Sequence, residues 1–213
     1  MTAKKQKEER KEESKKLEQK QYYDKGKRGI IFTALLNGEK VLVKEHNPTA
    51  AVNTIAHEAN ILQTINKKNI GPLFIALQDN MLIREFINGE AILDWMKTAK
   101  KPTIQHVLLG ILDQCRTLDT LGISKMEMTH PHKHIIIRKN NPVMIDFDRA
   151  HATTKPKNVT QVCQWITGGE LGGILRQKGI QLPRETMLEH AKNYKNSYNK
   201  KTYERIREMI QYA

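Results

Sequence analysis

The chain contains little cysteine and no long apolar run, and both scarcities restrict what the protein can be. Only Cys115 and Cys163 occur among its 213 residues, without the spacing of a disulfide framework, so a reduced intracellular setting is expected. No apolar stretch approaches the ~18 residues that a membrane-spanning helix needs, and the N-terminal segment lacks the apolar part of a secretory signal. We therefore expect a cytoplasmic protein with no membrane partner.

Acidic residues are also in the minority. The chain has 23 Asp and Glu against 36 Lys and Arg, which gives a formal net charge of +13. An excess of this size favours contact with polyanions such as nucleic acid, nucleotides or acidic protein surfaces. It is equally compatible with a lysine-rich proteome, so contact with RNA or a ribonucleoprotein through the basic surface stays an open interpretation.

The first twenty residues, MTAKKQKEERKEESKKLEQK, form a run of mixed charge in which Leu17 is the only large apolar residue. A segment of this composition cannot bury enough apolar surface to offset the entropy lost on ordering. We expect residues 1–20 to be a solvated tail or a single exposed helix. An arm that orders on RNA is the less favoured alternative.

Strand-like patterns follow from Tyr22 onward. The segment GIIFTALL is rich in β-branched and apolar residues, and the Asn37-Gly38 pair after it predicts a two-residue hairpin turn into KVLVK. Residues 49–69 then place apolar side chains at helical spacing, with Thr49 as the candidate cap. PLFIALQ and NMLIREFI are two further predicted strands, which complete a small antiparallel sheet with one long helix.

Helical patterns dominate after residue 90. AILDWMKTA is a short predicted helix, and TIQHVLLGILDQCRTLDTLG is a long amphipathic one. HIIIRKNNPVMIDF predicts a second hairpin that turns at Lys139-Asn140-Asn141, and residues 158–168 and 183–212 are predicted to be helical and basic. The expected fold class is therefore α+β: a small sheet with one helix, then a mainly helical part with an embedded hairpin.

Four features occur in an informative order. Lys44 ends the strand VLVK, Glu58 lies in the middle of the next helix, REFI at 84–87 leads into a glycine-containing linker, and a late hairpin ends in IDFD. Taken singly, such a lysine or glutamate usually faces water. In this order they resemble the protein-kinase-like fold over nearly all of residues 22–210. The resemblance is nearest to small atypical archaeal kinases, and is more distant to the RIO kinases and the lipopolysaccharide (Kdo) kinases.

The resemblance implies a two-lobed arrangement, with one lobe at residues 21–87, a mainly helical lobe at residues 88–213, and ATP and Mg²⁺ between them. Phosphoryl transfer needs little covalent help from the protein, so positioning and charge neutralisation dominate. Lys44 would contact the α- and β-phosphates and would be held by an ion pair to Glu58. Asp146 would bind the Mg²⁺ that bridges the phosphates.

The same resemblance assigns the base of the nucleotide. REFI would connect the two lobes, and the backbone at Glu85 and Ile87 would bond adenine. Arg84 would then lie near the gatekeeper position, where kinases usually carry an apolar side chain.

Two parts of the predicted nucleotide site depart from the usual pattern. Asp148 stands where protein kinases carry glycine, although a second acid is common in the sugar and small-molecule kinases that IDFDRA resembles. This carboxylate would either help to hold the metal or cap the following turn. The loop DKGKRG offers Gly26 and Gly29 without the full G-x-G-x-x-G pattern, so Lys27 and Arg28 would contact phosphate or be solvated turn residues.

The predicted catalytic loop, GISKMEMTHPHKHIII, lacks the Asp of a His-Arg-Asp motif and the Asn that follows it. If HIII corresponds to the residues after that Asn, His134 takes the Asn position, and Glu127 is the carboxylate left to accept a hydroxyl proton. The predicted catalytic residues are therefore Lys44, Glu127 and Asp146, and the predicted metal ligands are Asp146, Asp148 and His134.

The histidines of this loop alternate, which on a strand would direct His130, His132 and His134 to one face. Imidazole is a common zinc ligand, but the lack of a nearby cysteine and the presence of Pro131 argue against a zinc site. One or two of the histidines would contact phosphate or replace the missing Asn; ordinary loop histidines are the equal alternative.

The last predicted helical region alternates basic residues with Tyr194, Tyr198, Tyr203 and Tyr212. Basic and aromatic residues together can bind RNA through phosphate contacts and stacking. Tyrosines at helical spacing more often pack against their own domain, which is the favoured interpretation here.

The leading hypothesis is an atypical ATP-dependent kinase that acts on Ser or Thr of a protein, or an ATPase of the RIO kind that uses the same residues. The alternative is a non-catalytic kinase-like module that binds nucleotide or RNA within a larger assembly, such as a ribosomal particle. The missing loop Asp and Asn favour the alternative, whereas the presence of Lys44, Glu58 and Asp146 favours the kinase. A small-molecule kinase is supported by the likeness of IDFDRA alone.

Overall fold

The computed structural model describes residues 16–128 and 131–213. Most of the predicted tail, and His130 among the loop histidines, lie outside the described residues. The first sheet is antiparallel and consists of Leu17–Lys25 (β1), Gly29–Leu36 (β2), Glu39–His46 (β3), Phe74–Gln78 (β4) and Met81–Glu85 (β5), in the spatial order β1-β2-β3-β5-β4.

The helix Ile55–Asn66 (α1) packs against β3, β4 and β5. The hairpin between β2 and β3 turns at Asn37 and Gly38, whose φ angles of 53° and 80° are those that a two-residue turn of this kind requires. The predicted hairpin and the small antiparallel sheet with one helix are therefore confirmed.

The rest of the described chain is mainly helical. Its helices are Ile92–Thr98 (α2), Lys101–Thr120 (α3), Asn158–Thr167 (α4), Gly169–Gln177 (α5), Arg184–Ser197 (α6) and Lys200–Gln211 (α7). Its short strands are Glu90–Ala91 (β6), Ile123–Ser124 (β7), Ile135–Arg138 (β8), Asn141–Met144 (β9) and His151–Ala152 (β10). The predicted second hairpin is the β8–β9 pair, which forms a three-stranded antiparallel sheet with β6 in the order β6-β8-β9. The strands β7 and β10 pair separately. The α+β fold class is confirmed.

The side chains of β3 alternate between two environments. Val41 and Val43 join a small apolar cluster with Ala34 and Ile83 on one face of the sheet. Because successive side chains of a strand point to opposite faces, Lys44 faces the other side, towards α1 and the later segments. The main apolar core lies on that other side and extends from α1 through α3 to α7.

The expectation for residues 1–20 is wrong from Leu17 onward, because β1 begins there. Leu17 pairs with Leu36 of β2, but every other residue of β1 is exposed. The strand is held by its backbone pairing at the sheet edge and not by buried side chains. It therefore carries no apolar alternation for a sequence pattern to detect.

The first helix begins later than predicted. Thr49 does not cap it; its backbone N–H and its hydroxyl both donate to the Oδ1 of Asn47, within a turn. Val52, which fits the helical spacing, is 62% exposed and precedes the helix. The helix starts at Ile55, whose N–H donates to Asn53 Oδ1.

Two further differences concern the C-terminal helices. The region predicted to be helical at residues 183–212 forms two helices, α6 and α7. Between them, Tyr198 has a φ of 49° and the Asn199 side chain accepts from the N–H of Thr202 as a new N-cap. The helix α5 was not expected, because its glycine-rich sequence GELGGILRQ resembles a loop in composition.

Tyr194 and Tyr203 are buried and donate hydrogen bonds to Asp119 and Asp113, whereas Tyr212 is exposed. This agrees with the packing interpretation of these tyrosines, and RNA contact stays a prediction. Within residues 16–128 and 131–213, none of the helices has both the length and the apolar character needed to cross a bilayer.

Candidate active site

A cleft of about 630 Å³ lies between the inner face of the first sheet and the segments around Glu127, Lys133 and His134, and residues 145–149. This volume is in the range of small-molecule sites in proteins. The predicted site residues that line the cleft are Gly26, Gly29, Lys44, Glu127, His134, Asp146 and Asp148. Glu58 lies behind the wall, in contact with Lys44, whereas Glu85 and Ile87 do not line the cleft.

Lys44 is the centre of a buried charge network. Its Nζ donates to Glu58 Oε2 at 2.6 Å and to Asp146 Oδ1 at 2.9 Å, and Asp148 Oδ2 lies 3.8 Å away. Burial alone would lower the pKa of this ammonium, but the neighbouring carboxylates outweigh that effect and hold its pKa above the usual value. Lys44 is therefore a fixed positive charge at the back of the cleft.

Glu58 connects three parts of the chain. It is 1% exposed on α1, and besides its bond to Lys44 it accepts the backbone N–H of Phe147 through Oε1 at 3.2 Å. Both carboxylate oxygens are thus engaged, one by β3 and one by the segment after β9. Burial of this carboxylate is tolerated because it forms an ion pair with Lys44 and accepts a backbone hydrogen bond.

Asp146 has a left-handed backbone with a φ of 59°, and a third of its side chain is exposed to the cleft. Burial favours the neutral carboxyl, but the Lys44 ammonium outweighs it and lowers the pKa of Asp146 below its usual value. Its backbone carbonyl accepts a hydrogen bond from Lys125 Nζ at 3.0 Å, and this ammonium also lies over the Phe147 ring. Asp146 is therefore positioned by groups on both sides.

Asp148 faces the same space in a different electrostatic state. Burial and the negative charge of Asp146 both raise its pKa above the usual value. Its Oδ1 lies 3.4 Å from an Arg28 guanidinium nitrogen, so the glycine loop and the acidic pair meet across the cleft. Among the described residues, no backbone N–H donates to this carboxylate, which leaves the turn-capping alternative without a hydrogen bond to support it.

Glu127 lies near Asp146 and Asp148 on the wall that faces the sheet, and its carboxylate is engaged by other side chains. It pairs with Arg149, and its Oε2 is 3.5 Å from His134 Nε2, whose Nδ1 is 3.7 Å from Asp146. Burial, reinforced by Lys125, lowers the pKa of His134 and favours neutral imidazole. His132 and His134 lie in a turn of 3₁₀ helix, Pro131–His134, so the loop geometry argued from Pro131 holds for the described histidines.

The glycine loop has a steric role that its sequence did not reveal. A Cβ added to Gly29 would lie 2.6 Å from Lys44 Cε, so any larger residue at this position would force the Lys44 side chain to shift. Gly26 N–H donates to the Gly29 carbonyl at 2.8 Å, and the Asn47 side chain holds the Gly26 and Lys27 carbonyls.

Glu85 is engaged away from the cleft. Its backbone N–H donates to the Leu73 carbonyl, and its carboxylate accepts from the Leu73 N–H and from Arg138. Its N–H is thus not available to a ligand. Ligand binding by its carbonyl or by the backbone of Ile87 stays a prediction.

Several residues at or behind the cleft were not identified as site residues from the sequence, among them Lys125, Arg149 and Tyr23. Arg149 and Tyr23 line the cleft, and Lys125 supports Asp146 from behind. Lys125 is 3% exposed, and the resulting desolvation lowers its pKa. Its position within the predicted catalytic loop was the only signal, since the burial of a lysine cannot be inferred from its neighbours in sequence.

No group of three or more His, Cys, Asp or Glu side chains in the described part of the chain is arranged to hold a metal ion. Mg²⁺, however, usually takes one or two carboxylates together with waters and substrate phosphates. Asp146 and Asp148 supply two carboxylates in the cleft, so the donor set fits a magnesium ion that arrives with a polyphosphate.

Comparisons with known proteins assign no activity. No protein-family model matches the chain. An uncharacterized protein of Methanocaldococcus jannaschii is 30% identical over 115 residues, which cover 52% of this chain and 97% of that protein.

Proposed function

We propose, from the cleft, that the protein is an atypical kinase that transfers the γ-phosphate of ATP to Ser or Thr of a protein. The chain belongs to the same family as the uncharacterized Methanocaldococcus jannaschii protein, whose name states no activity. An ATPase of the RIO kind would use the same residues with water as acceptor. The proposal includes a two-lobed kinase-like arrangement, with lobes at residues 21–87 and 88–213 and the nucleotide between them.

One observation carries the proposal: Lys44 joins Glu58 and Asp146 at the back of a cleft of nucleotide size. Three residues that are far apart in sequence form one charge network, and the lysine and one acid of that network face the cleft. Phosphoryl transfer needs such an arrangement, because a polyphosphate must be neutralised and held in line for attack.

Each residue has a proposed task. Lys44 would bind the α- and β-phosphates, and Arg28 would leave Asp148 to contact phosphate. Asp146, Asp148 and His134 would hold Mg²⁺, which would supply positive charge to neutralise the phosphates. The acceptor hydroxyl loses its proton to Glu127 as its oxygen bonds to the γ-phosphorus and the bond to the β-phosphate oxygen breaks.

The engagement of Glu127 favours one second candidate, a non-catalytic module that binds nucleotide within a larger assembly. Arg149 and His134 both hold this carboxylate, so a base is available only after these contacts loosen. Binding without turnover would identify this case.

The test is transfer of labelled γ-phosphate from ATP to mixed protein acceptors and to water, for the wild type and Glu127→Gln. We expect Glu127→Gln to lower the rate by about 10²- to 10⁴-fold, because the acceptor of the hydroxyl proton is lost, whereas nucleotide affinity is retained, because Lys44 and Asp146 are unchanged. Glu39→Gln, which makes the same change on an exposed residue at the start of β3, is the matched control. Turnover unchanged in Glu127→Gln would remove the base assignment, and binding without turnover in the wild type would favour the module.

A further inference from the structure

Arg84 is a buried cation for which the described chain provides no partner. It is 5% exposed and lines the cleft. Its backbone is paired within the sheet, but no group in 16–128 or 131–213 forms a hydrogen bond or an ion pair with its guanidinium, whose Nε is buried without an acceptor. A buried guanidinium is normally paired, so this side chain has its hydrogen-bonding capacity left for a ligand.

Three carboxylates, those of Glu58, Asp146 and Glu85, act electrostatically on Arg84, and all three already accept hydrogen bonds from other groups. Glu58 accepts from Lys44 and from the Phe147 N–H, and Asp146 accepts from Lys44. Desolvation lowers the pKa of Arg84, and the charges of these three carboxylates partly offset it, but none of the three forms a hydrogen bond with the guanidinium. The guanidinium stays protonated, since its pKa begins far above neutrality.

The sheet register places Arg84 beside the phosphate end of the site and not within it. Arg84 of β5 pairs with Leu42 of β3, whereas Lys44 pairs with Leu82. Two residues along a strand correspond to about 7 Å, so Arg84 originates farther along the cleft, towards the segment that follows β5. A nucleotide with its phosphates at Lys44 would bring its base, not its phosphates, to this part of the wall.

We propose that Arg84 reads the base of the bound nucleotide and selects a purine with two acceptors on one edge, guanine or hypoxanthine, over adenine. The inference rests on the proposed function and specifies the nucleotide preference of the same site: a guanine nucleotide is the preferred phosphoryl donor, and ATP is the weaker one. Guanine presents O6 and N7 side by side, and arginine donates to both as a fork. Adenine presents N7 beside an amino group, which is itself a donor and faces the guanidinium unfavourably.

The test is direct binding of the Mg²⁺ complexes of GTP, ITP and ATP, measured by calorimetry on the wild type, Arg84→Lys and Arg84→Met. We expect the wild type to bind GTP and ITP about tenfold or more tightly than ATP, because one good bidentate contact gives discrimination of that size. ITP isolates the O6 and N7 edge, since it lacks the amino group of guanine.

The variants separate charge from hydrogen-bond geometry. Arg84→Lys keeps the charge but not the planar fork, so the preference for GTP over ATP should fall to within about threefold. Arg84→Met replaces a buried cation by an apolar side chain of similar length, a change that buried sites generally tolerate, and it should also abolish the preference.

Three results would overturn the inference while leaving nucleotide binding intact. These are ATP binding as tightly as GTP, ITP binding like ATP, and an equal loss of affinity for all three nucleotides in Arg84→Met. Absence of binding by every nucleotide would instead remove the proposed function, together with the inference that depends on it.

Discussion

Asp146→Asn is expected to lower phosphoryl transfer by about a hundredfold or more, on the scale seen when one preorganised electrostatic group is removed. Asparagine has the same shape, but it carries no charge for Mg²⁺ or for Lys44. Lys44 keeps its bond to Glu58, so the network behind the cleft is retained and the fold should persist. The measurement is the rate of γ-phosphate transfer, with the Mg²⁺ dependence of nucleotide affinity as a second readout.

The protonation state simplifies this experiment. Because Lys44 holds the pKa of Asp146 below its usual value, the carboxylate is ionised throughout the neutral pH range. A change of pH within that range therefore does not reproduce the effect of the substitution. Asp94→Asn removes the same charge from an exposed residue of α2 and is the control. If Asp146→Asn matched this control in both rate and Mg²⁺ dependence, the assignment of Asp146 to the metal would be wrong.

Asp119→Ala is expected to lower the free energy of unfolding by on the order of 3 to 5 kcal/mol, because it leaves several buried donors unpaired. Asp119 is 6% exposed on α3 and accepts from the Asn158 N–H and side-chain amide, the Val159 N–H and the Tyr194 hydroxyl. Asn158 in turn accepts the Lys125 N–H and donates to the Ile123 carbonyl. The carboxylate thus supports the start of α4 and the segment that leads to Glu127.

The chain offers a matched control for this effect. Asp113 lies on the same helix and also accepts from a tyrosine hydroxyl, that of Tyr203, but its own side chain is half exposed. Asp113→Ala should cost no more than about 1 kcal/mol, because water replaces the lost partner. Urea unfolding followed by circular dichroism measures both. Equal losses in the two variants would mean that the Asp119 network does not hold the structure in the way described.

Local sequence signals predicted the parts of the fold that depend on local chemistry. The β2–β3 turn follows from Asn37-Gly38, and the main helix of the sheet from apolar spacing. Local sequence patterns failed where an element is stabilised by other parts of the chain or by a single residue. β1 is held by backbone pairing at an edge, and the break at Tyr198 depends on a single cap by Asn199.

The candidate site was predictable to a similar degree. The order of Lys44, Glu58 and Asp146 along the chain led to the expectation of one site, and the structure brings them within hydrogen-bond distance. The environments of Lys125 and Arg84 were not predictable, because their burial arises from packing between segments that are distant in sequence. The charged groups that are buried in this way affect the chemistry of the cleft, but a sequence motif does not describe their burial.

The central claim is that the cleft binds a nucleoside triphosphate and Mg²⁺ through Lys44 and Asp146. Calorimetric titration of the wild type and Lys44→Ala tests this claim most directly. ATP and GTP should each be titrated with Mg²⁺ and with a chelator. We expect binding that is stronger with Mg²⁺ for at least one nucleotide, and that is lost in Lys44→Ala. Absence of binding of both nucleotides at every Mg²⁺ concentration, by a folded wild-type protein, would contradict the claim.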